Sequence, residues 1–278
     1  MIYEERYAAN PEYVKQLDTD GLRKEFLIQN LFRDDEIYLV YTHYDRYMAG
    51  GIKPVSKALS LSTIDPLKAE NFLDRRELGV INVGGSAIIT ADGEEYKVDC
   101  KEALYLGKGN KEVSFKSIDS NNPALLYVNS APAHHSYPNK KVGFSEAETV
   151  ELGTAATSNA RKINKLIVNS VVETCQLQMG MTQLKEGSVW NTMPSHTHNR
   201  RMEVYFYLDV PADQTVCHFM GQPQETRHVF MQNHEAVISP PWSIHSGCGT
   251  SNYTFIWGMA GENLDYGDMD TVQPNELR

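Results

Sequence analysis

Three histidines and one glutamate have the types and spacing to hold a metal ion: His196, His198, Glu203 and His245. His196 and His198 are separated by one residue, which on a β-strand sends both imidazoles to the same face. Glu203 opens a strongly β-prone run, Glu203-Val-Tyr-Phe-Tyr-Leu208, and a later hairpin can return His245, behind Pro240-Pro241, to the same place. Imidazole nitrogens and a carboxylate oxygen meeting at one point suit a divalent transition metal. Strand alternation puts Glu203, Tyr205 and Tyr207 on one face and Val204, Phe206 and Leu208 on the other. Tyr205 is therefore expected to line whatever cavity Glu203 faces.

The elements that must position these groups read as β. Short β-branched and aromatic runs recur along the chain. They include Ile37–Tyr41, Gly79–Val83, Ser86–Thr90, Glu95–Val98, Ala124–Val128, Glu173–Met179, Thr215–Phe219, Arg227–Met231 and Tyr253–Trp257. Asp92-Gly93 between two such runs is a hairpin signal. Two short helices are expected near the start, one from Asn10-Pro11 with proline at its first position and one over Asp20–Phe26. Many short strands with Gly/Pro turns define an all-β sandwich, jelly roll or barrel.

The two halves resemble each other. Asp74-Arg75-Arg76 matches Asn199-Arg200-Arg201, and Glu102-Ala-Leu-Tyr105 matches Glu235-Ala-Val-Ile238. This alignment puts Asn71, Leu73 and Leu78 where His196, His198 and Glu203 stand, and Glu112 near the place of His245. Two modules follow, residues 1–150 without a metal site and residues 151–278 with one, joined through a Pro- and Gly-containing stretch around 130–160.

Composition limits the function. A chain of 278 residues with 41% hydrophobic content can bury two cores. A net charge of −10 argues against nucleic acid or an anionic membrane as the main partner. The opening Met1-Ile-Tyr-Glu-Glu-Arg-Tyr7 has no basic region followed by an apolar core, and no apolar run approaches the roughly 20 residues of a membrane helix. Cys100, Cys175, Cys217 and Cys248 are scattered, without a C-x-x-C pair. A soluble cytoplasmic protein with reduced thiols is expected.

The motifs carry a family likeness. Gly187 upstream of His196-x-His198-x-x-x-x-Glu203, with Pro241-Trp-Ser-Ile-His245 downstream, resembles the two motifs of the cupin superfamily of small β-barrels. Trp242 and Ser243 stand where that second motif often has glycine. The duplication resembles a bicupin with one metallated half. Over the whole chain, Ser130–Pro138, Asn191–Glu203 and Ser239–Gly247 resemble the 5-keto-4-deoxyuronate isomerase family of pectin and unsaturated-uronate breakdown. That resemblance implies a cytoplasmic zinc-dependent homohexamer, one zinc per subunit. It would convert 5-dehydro-4-deoxy-D-glucuronate to 3-deoxy-D-glycero-2,5-hexodiulosonate. Iron(II), manganese and nickel suit the same ligands.

Such a reaction moves hydrogen from C2 to C1, by a base or by hydride shift, and the residues leave both routes open. A metal-bound water, a carboxylate or Tyr205 with a lowered pKa could serve as the base. The substrate carboxylate calls for a cation, with Arg161, Arg200, Arg201 and Arg227 as candidates and Arg161 favoured just ahead of the first strands of the second module. Trp242, in the turn before His245, is the tryptophan placed to meet the sugar; Trp190 and Trp257 read as core or barrel wall. His218, His228 and His234 are expected on outer faces or in loops, as is the pair His134-His135. Two other classes share the scaffold: a cupin dioxygenase with redox-active iron, and a non-catalytic sugar-binding bicupin.

Overall fold

The computed structural model describes residues 1–278. The chain is built almost entirely of strands and divides into two compact units. One comprises Met1–Arg6, Asn30–Glu148 and Lys165–Met179; the other comprises Tyr7–Gln29, Thr149–Asn164 and Gly180–Arg278. The change of unit near residue 149 lies close to the Pro/Gly-containing stretch. Two segments depart from a single cut at 150: the helical opening belongs with the later residues, and 165–179 with the earlier ones. The opening does so because Leu27–Ile28 adds an edge strand to Ala236–Ser239, pairing Leu27 with Val237 and Ile28 with Ala236. Its helices begin where their N-caps dictate. Asn10 accepts from the Glu12 amide at 2.8 Å ahead of Pro11–Val14, and Asp18 accepts from the Gly21 amide at 2.8 Å ahead of Thr19–Phe26.

Each unit contains one seven-stranded and one four-stranded sheet. In the first, Arg76–Asn82 lies between Leu126–Pro132 and Ala103–Leu106. In the second, Arg201–Leu208 lies between Thr254–Gly261 and Ala236–Ser239. The equivalence suggested by the paired arginines and by the Glu102/Glu235 match is thus present in strand order. The Asp92-Gly93 hairpin forms, with φ of 47° and 88° at the two turn residues, the left-handed pair that a two-residue hairpin needs.

The first unit's core is apolar. Leu73, Leu78, Val80, Leu104, Leu106, Phe115 and Leu126 all belong to one buried cluster. Asn71 is tied to Asp74 by its amide group at 3.1 Å, and Glu112 is exposed. In the second unit every residue of Arg201–Leu208 is buried. One face of this strand carries Glu203, Tyr205 and Tyr207 toward the four-stranded sheet Trp190–Asn191, Ser246–Gly249, Val216–Gln222 and Glu225–Met231. No helix is long and apolar enough to cross a membrane. None of the four cysteines forms a disulfide.

Candidate metal centre

His196, His198, Glu203 and His245 come together, with their ligand atoms all within 4.8 Å of one another. His196 sits on the short strand Ser195–Thr197, with His198 just beyond it. Glu203 lies two residues into the central strand. His245 follows a tight turn in which the Ser243 amide donates to the Pro240 carbonyl at 2.9 Å. Ser243 Oγ fixes that turn by accepting from the Gly221 amide at 2.9 Å. The His198 amide donates to the Pro241 carbonyl at 3.2 Å, tying the two ligand-bearing segments together.

The donor geometry fits a cation. His198 Nε2 lies 2.7 Å from Glu203 Oε1, His245 Nε2 lies 3.5 Å from the same oxygen, and the Nε2 atoms of His245 and His196 are 2.9 Å apart. Four donors about 2.0–2.2 Å from one ion lie roughly 3.4 Å from each other in a tetrahedron, so this cluster is of the right size. Despite its closeness to Glu203, His198 Nε2 is buried and lacks a properly directed hydrogen bond. A buried lone pair facing a carboxylate is stabilised by a cation placed between them.

The protonation states also suit ligation. Burial pushes the His196 imidazolium down to about 4 against the Glu203 charge. It pushes His245 well below its ordinary value. Burial alone would raise Glu203, but the surrounding imidazoles, His245 foremost, outweigh it and bring the carboxyl down to about 2. Neutral His196 and His245 beside a carboxylate are the forms a metal binds.

The cluster opens into a cavity of about 300 Å³, at the small end of the range for metabolite sites. Arg161, Thr192, Tyr205, Trp257, Tyr266 and Met269 help to line it. Arg161 is its one guanidinium, half-buried, with a single hydrogen bond to the protein, from Nη1 to the Asn159 carbonyl at 3.0 Å. Burial lowers its pKa while the nearby Tyr205 and Tyr266 hydroxyls raise it. Tyr205 lines the cavity as alternation required, with its hydroxyl 3.0 Å from Thr192 Oγ1. Burial, and then the Glu203 charge, push its pKa well above 10. Tyr205 is thus a protonated phenol, which reverses the lowered pKa that a tyrosinate base would need.

Two sequence expectations, for Trp242 and His218, are corrected here. Trp242 does not line the cavity; it packs edge-on against Phe26, with ring centroids 6.4 Å apart, beside a small separate cleft. Trp257 is a buried barrel-wall residue as expected, and it also lines the cavity because it pairs in register with Tyr205 and so shares its face. It fits because residue 180 is glycine: a Cβ there would meet the indole at 2.2 Å. His218 is not on an outer face; it is fully buried, with Nδ1 2.8 Å from the Tyr207 hydroxyl, and burial pushes it down to about 3. Arg200 and Arg227 are engaged elsewhere, with Asp268 and Glu225. Arg201 is buried against main-chain carbonyls of Asp265 and Asp268. His134 and His135 lie exposed in a loop. Tyr266, Met269 and Thr271 were missed, since the segment after Gly261 has no strand periodicity.

Two β units, one with an apolar core and one holding three imidazoles and a carboxylate that could take a metal ion, define a cupin-type protein. The fold alone is shared with an IolB-like protein from Salmonella typhimurium LT2, at a TM-score of 0.72 and 14% identity over 89% of this chain and 96% of that one. The chain belongs to the KduI/IolB family, whose model matches residues 29–273. It is 65% identical over 276 residues to the 4-deoxy-L-threo-5-hexosulose-uronate ketol-isomerase of Formosa agariphila, covering 99% of each chain. It is 56% identical over 276 residues to the protein of the same name from Bacteroides fragilis, again over 99% of each.

Proposed function

We propose that the protein is a metal-dependent aldose–ketose isomerase that converts 5-dehydro-4-deoxy-D-glucuronate to 3-deoxy-D-glycero-2,5-hexodiulosonate. The observation that carries this reading is the cavity itself, which joins four metal-type ligands to one under-used arginine. The shared name of the two relatives points to the same reaction, and neither name is that of a dioxygenase or a storage protein.

The residues divide the work. His196, His198, Glu203 and His245 would hold the ion, proposed to be zinc, with iron(II), manganese and nickel compatible with the same donors. When bound, it supplies Lewis-acid polarisation of a carbonyl oxygen, which acidifies the neighbouring C–H. Arg161 has four N–H donors left for the substrate carboxylate, enough for a bidentate pair. Tyr205 holds its phenolic proton at the cavity face, where it can donate to the carbonyl oxygen. Trp257, Met259 and Phe255 line the cavity with apolar surface and would exclude water from bound substrate. Hydrogen leaves C2 and arrives at C1 while a hydroxyl proton moves to the former carbonyl oxygen, so no atom is gained or lost. A role in pectin and unsaturated-uronate breakdown, a cytoplasmic location and a homohexameric assembly are proposed on the family resemblance.

The test is direct. Metal-loaded protein is incubated anaerobically with unsaturated uronate monomer, which opens to the keto-uronate, and followed by proton NMR. Formation of the ketose isomer is expected. Turnover of a different sugar without any ketose from the uronate would overturn the substrate assignment, and a strict need for oxygen would overturn the reaction class.

A further inference from the structure

Resting on the metal reading above, we infer that Asp268 is a positioning residue of the metal centre, anchored by Arg200, and that it sets the orientation of His198 through its main-chain carbonyl. That carbonyl lies 2.7 Å from His198 Nδ1. A carbonyl only accepts, so Nδ1 carries the proton, and the Nε2 lone pair is left to face the cluster. Arg201 Nε approaches the same nitrogen at 3.4 Å. The longer contact does not decide the tautomer: an Nδ1 lone pair accepting from Arg201 would face the Asp268 oxygen, lone pair to lone pair, at 2.7 Å.

Asp268 is held from both ends. Its carboxylate takes Arg200 Nη2 at 2.5 Å, Arg200 Nε at 2.6 Å and the Asn263 amide group at 2.7 Å. Its carbonyl also accepts from Arg201 Nη2 at 2.9 Å, the same nitrogen that holds the Asp265 carbonyl at 2.6 Å. Arg200 reaches Asp270 as well, at 3.3 Å.

The segment pinned in this way is also a wall of the cavity. Asp270–Val272 pairs with Ser195–Thr197, setting Thr271 opposite His196. Tyr266, Met269 and Thr271 face the cavity, and the Tyr266 ring lies 5.4 Å from that of Trp257. One short segment therefore orients a ligand and shapes the space for substrate. Neither role follows from Arg200 as a carboxylate-binding group, since its guanidinium is spent on aspartates outside the cavity lining.

The experiment uses the full-length protein titrated with cobalt(II), whose visible absorption reports ligand geometry. In Arg200→Ala and Asp268→Ala the dissociation constant should rise by about 10–100-fold, with altered band positions or intensities. Arg200→Lys should restore part of the affinity. Thermal unfolding of the metal-free proteins separates this from general destabilisation, and Arg200→Ala alone decides if Asp268→Ala does not fold. Unchanged cobalt affinity and spectrum in a folded Arg200→Ala protein would overturn the inference while leaving the metal reading intact. Absence of a cobalt spectrum in the unaltered protein would overturn the metal reading itself.

Discussion

Glu203 and Ser239 face one another across two antiparallel strands, and the Ser239 hydroxyl lies 3.2 Å from Nδ1 of His245. The ladder thus places one proposed ligand, Glu203, opposite the hydroxyl that touches another, His245. In the first unit the same ladder positions pair Leu78 with Leu106, both within the apolar core. One barrel keeps the carboxylate and its supporting hydroxyl together; the other fills both places with leucine. Ser239→Ala should therefore weaken metal binding by about tenfold. Competition with a chelator measures this, and an unaltered affinity would contradict a supporting role for the hydroxyl.

Replacing His196, His198 or His245 by alanine should abolish stoichiometric metal binding and turnover. The β fold should persist, because the strands around the centre are held by buried aliphatic and aromatic side chains such as Val204, Phe206 and Ile256. Metal content after dialysis, read beside far-ultraviolet circular dichroism, checks both parts. Full metal occupancy in any one variant would remove that histidine from the ligand set.

Arg161→Ala should raise KM for the uronate by roughly 10–100-fold, the range of one or two charge-assisted hydrogen bonds at about 1.5–3 kcal/mol. Arg161→Lys should recover only part, since an ammonium cannot make the planar bidentate pair. Metal affinity should be unaffected in both. An unchanged KM in Arg161→Ala would place the substrate carboxylate elsewhere.

His218 gives a pH signature separate from the metal ligands. Burial holds its folded-state pKa at about 3, below the ordinary value of about 6.5. Between these values the unfolded chain binds more protons than the folded one, so the contribution is complete above 6.5 and is lost as pH falls toward 3. The slope from this group approaches about 1.4 kcal/mol per pH unit. His218→Asn keeps an acceptor near the Tyr207 hydroxyl and removes the titration. Denaturant midpoints of the metal-free protein at pH 7 and pH 5 should differ less in the variant, and an equal loss in both would show that His218 titrates normally.

The four clustered side chains were legible because their chemistry is local. A His-x-His pair and a glutamate at the head of a β-prone run announce themselves by spacing and alternation. Tyr205 followed from Glu203 by period two. The same alternation could not reach Trp257, whose place beside Tyr205 depends on pairing register between strands some fifty residues apart. Trp242 misled because nearness to His245 along the chain says nothing of direction: the turn that delivers the imidazole inward sends the indole toward Phe26.

Sequence alone pointed to the β character, the repeat, the four side chains of the candidate metal cluster and the candidate cation, since each is written in residue type, period or short spacing. Tertiary structure decided which surfaces enclose the cavity, that His218 is buried, that residues 7–29 complete the second unit, and that the segment carrying Asp268 and Tyr266 returns to the metal centre. Those outcomes depend on strand register and on contacts between residues far apart in the chain. They are fixed by packing and by the need to pair buried polar groups, for which no local pattern exists.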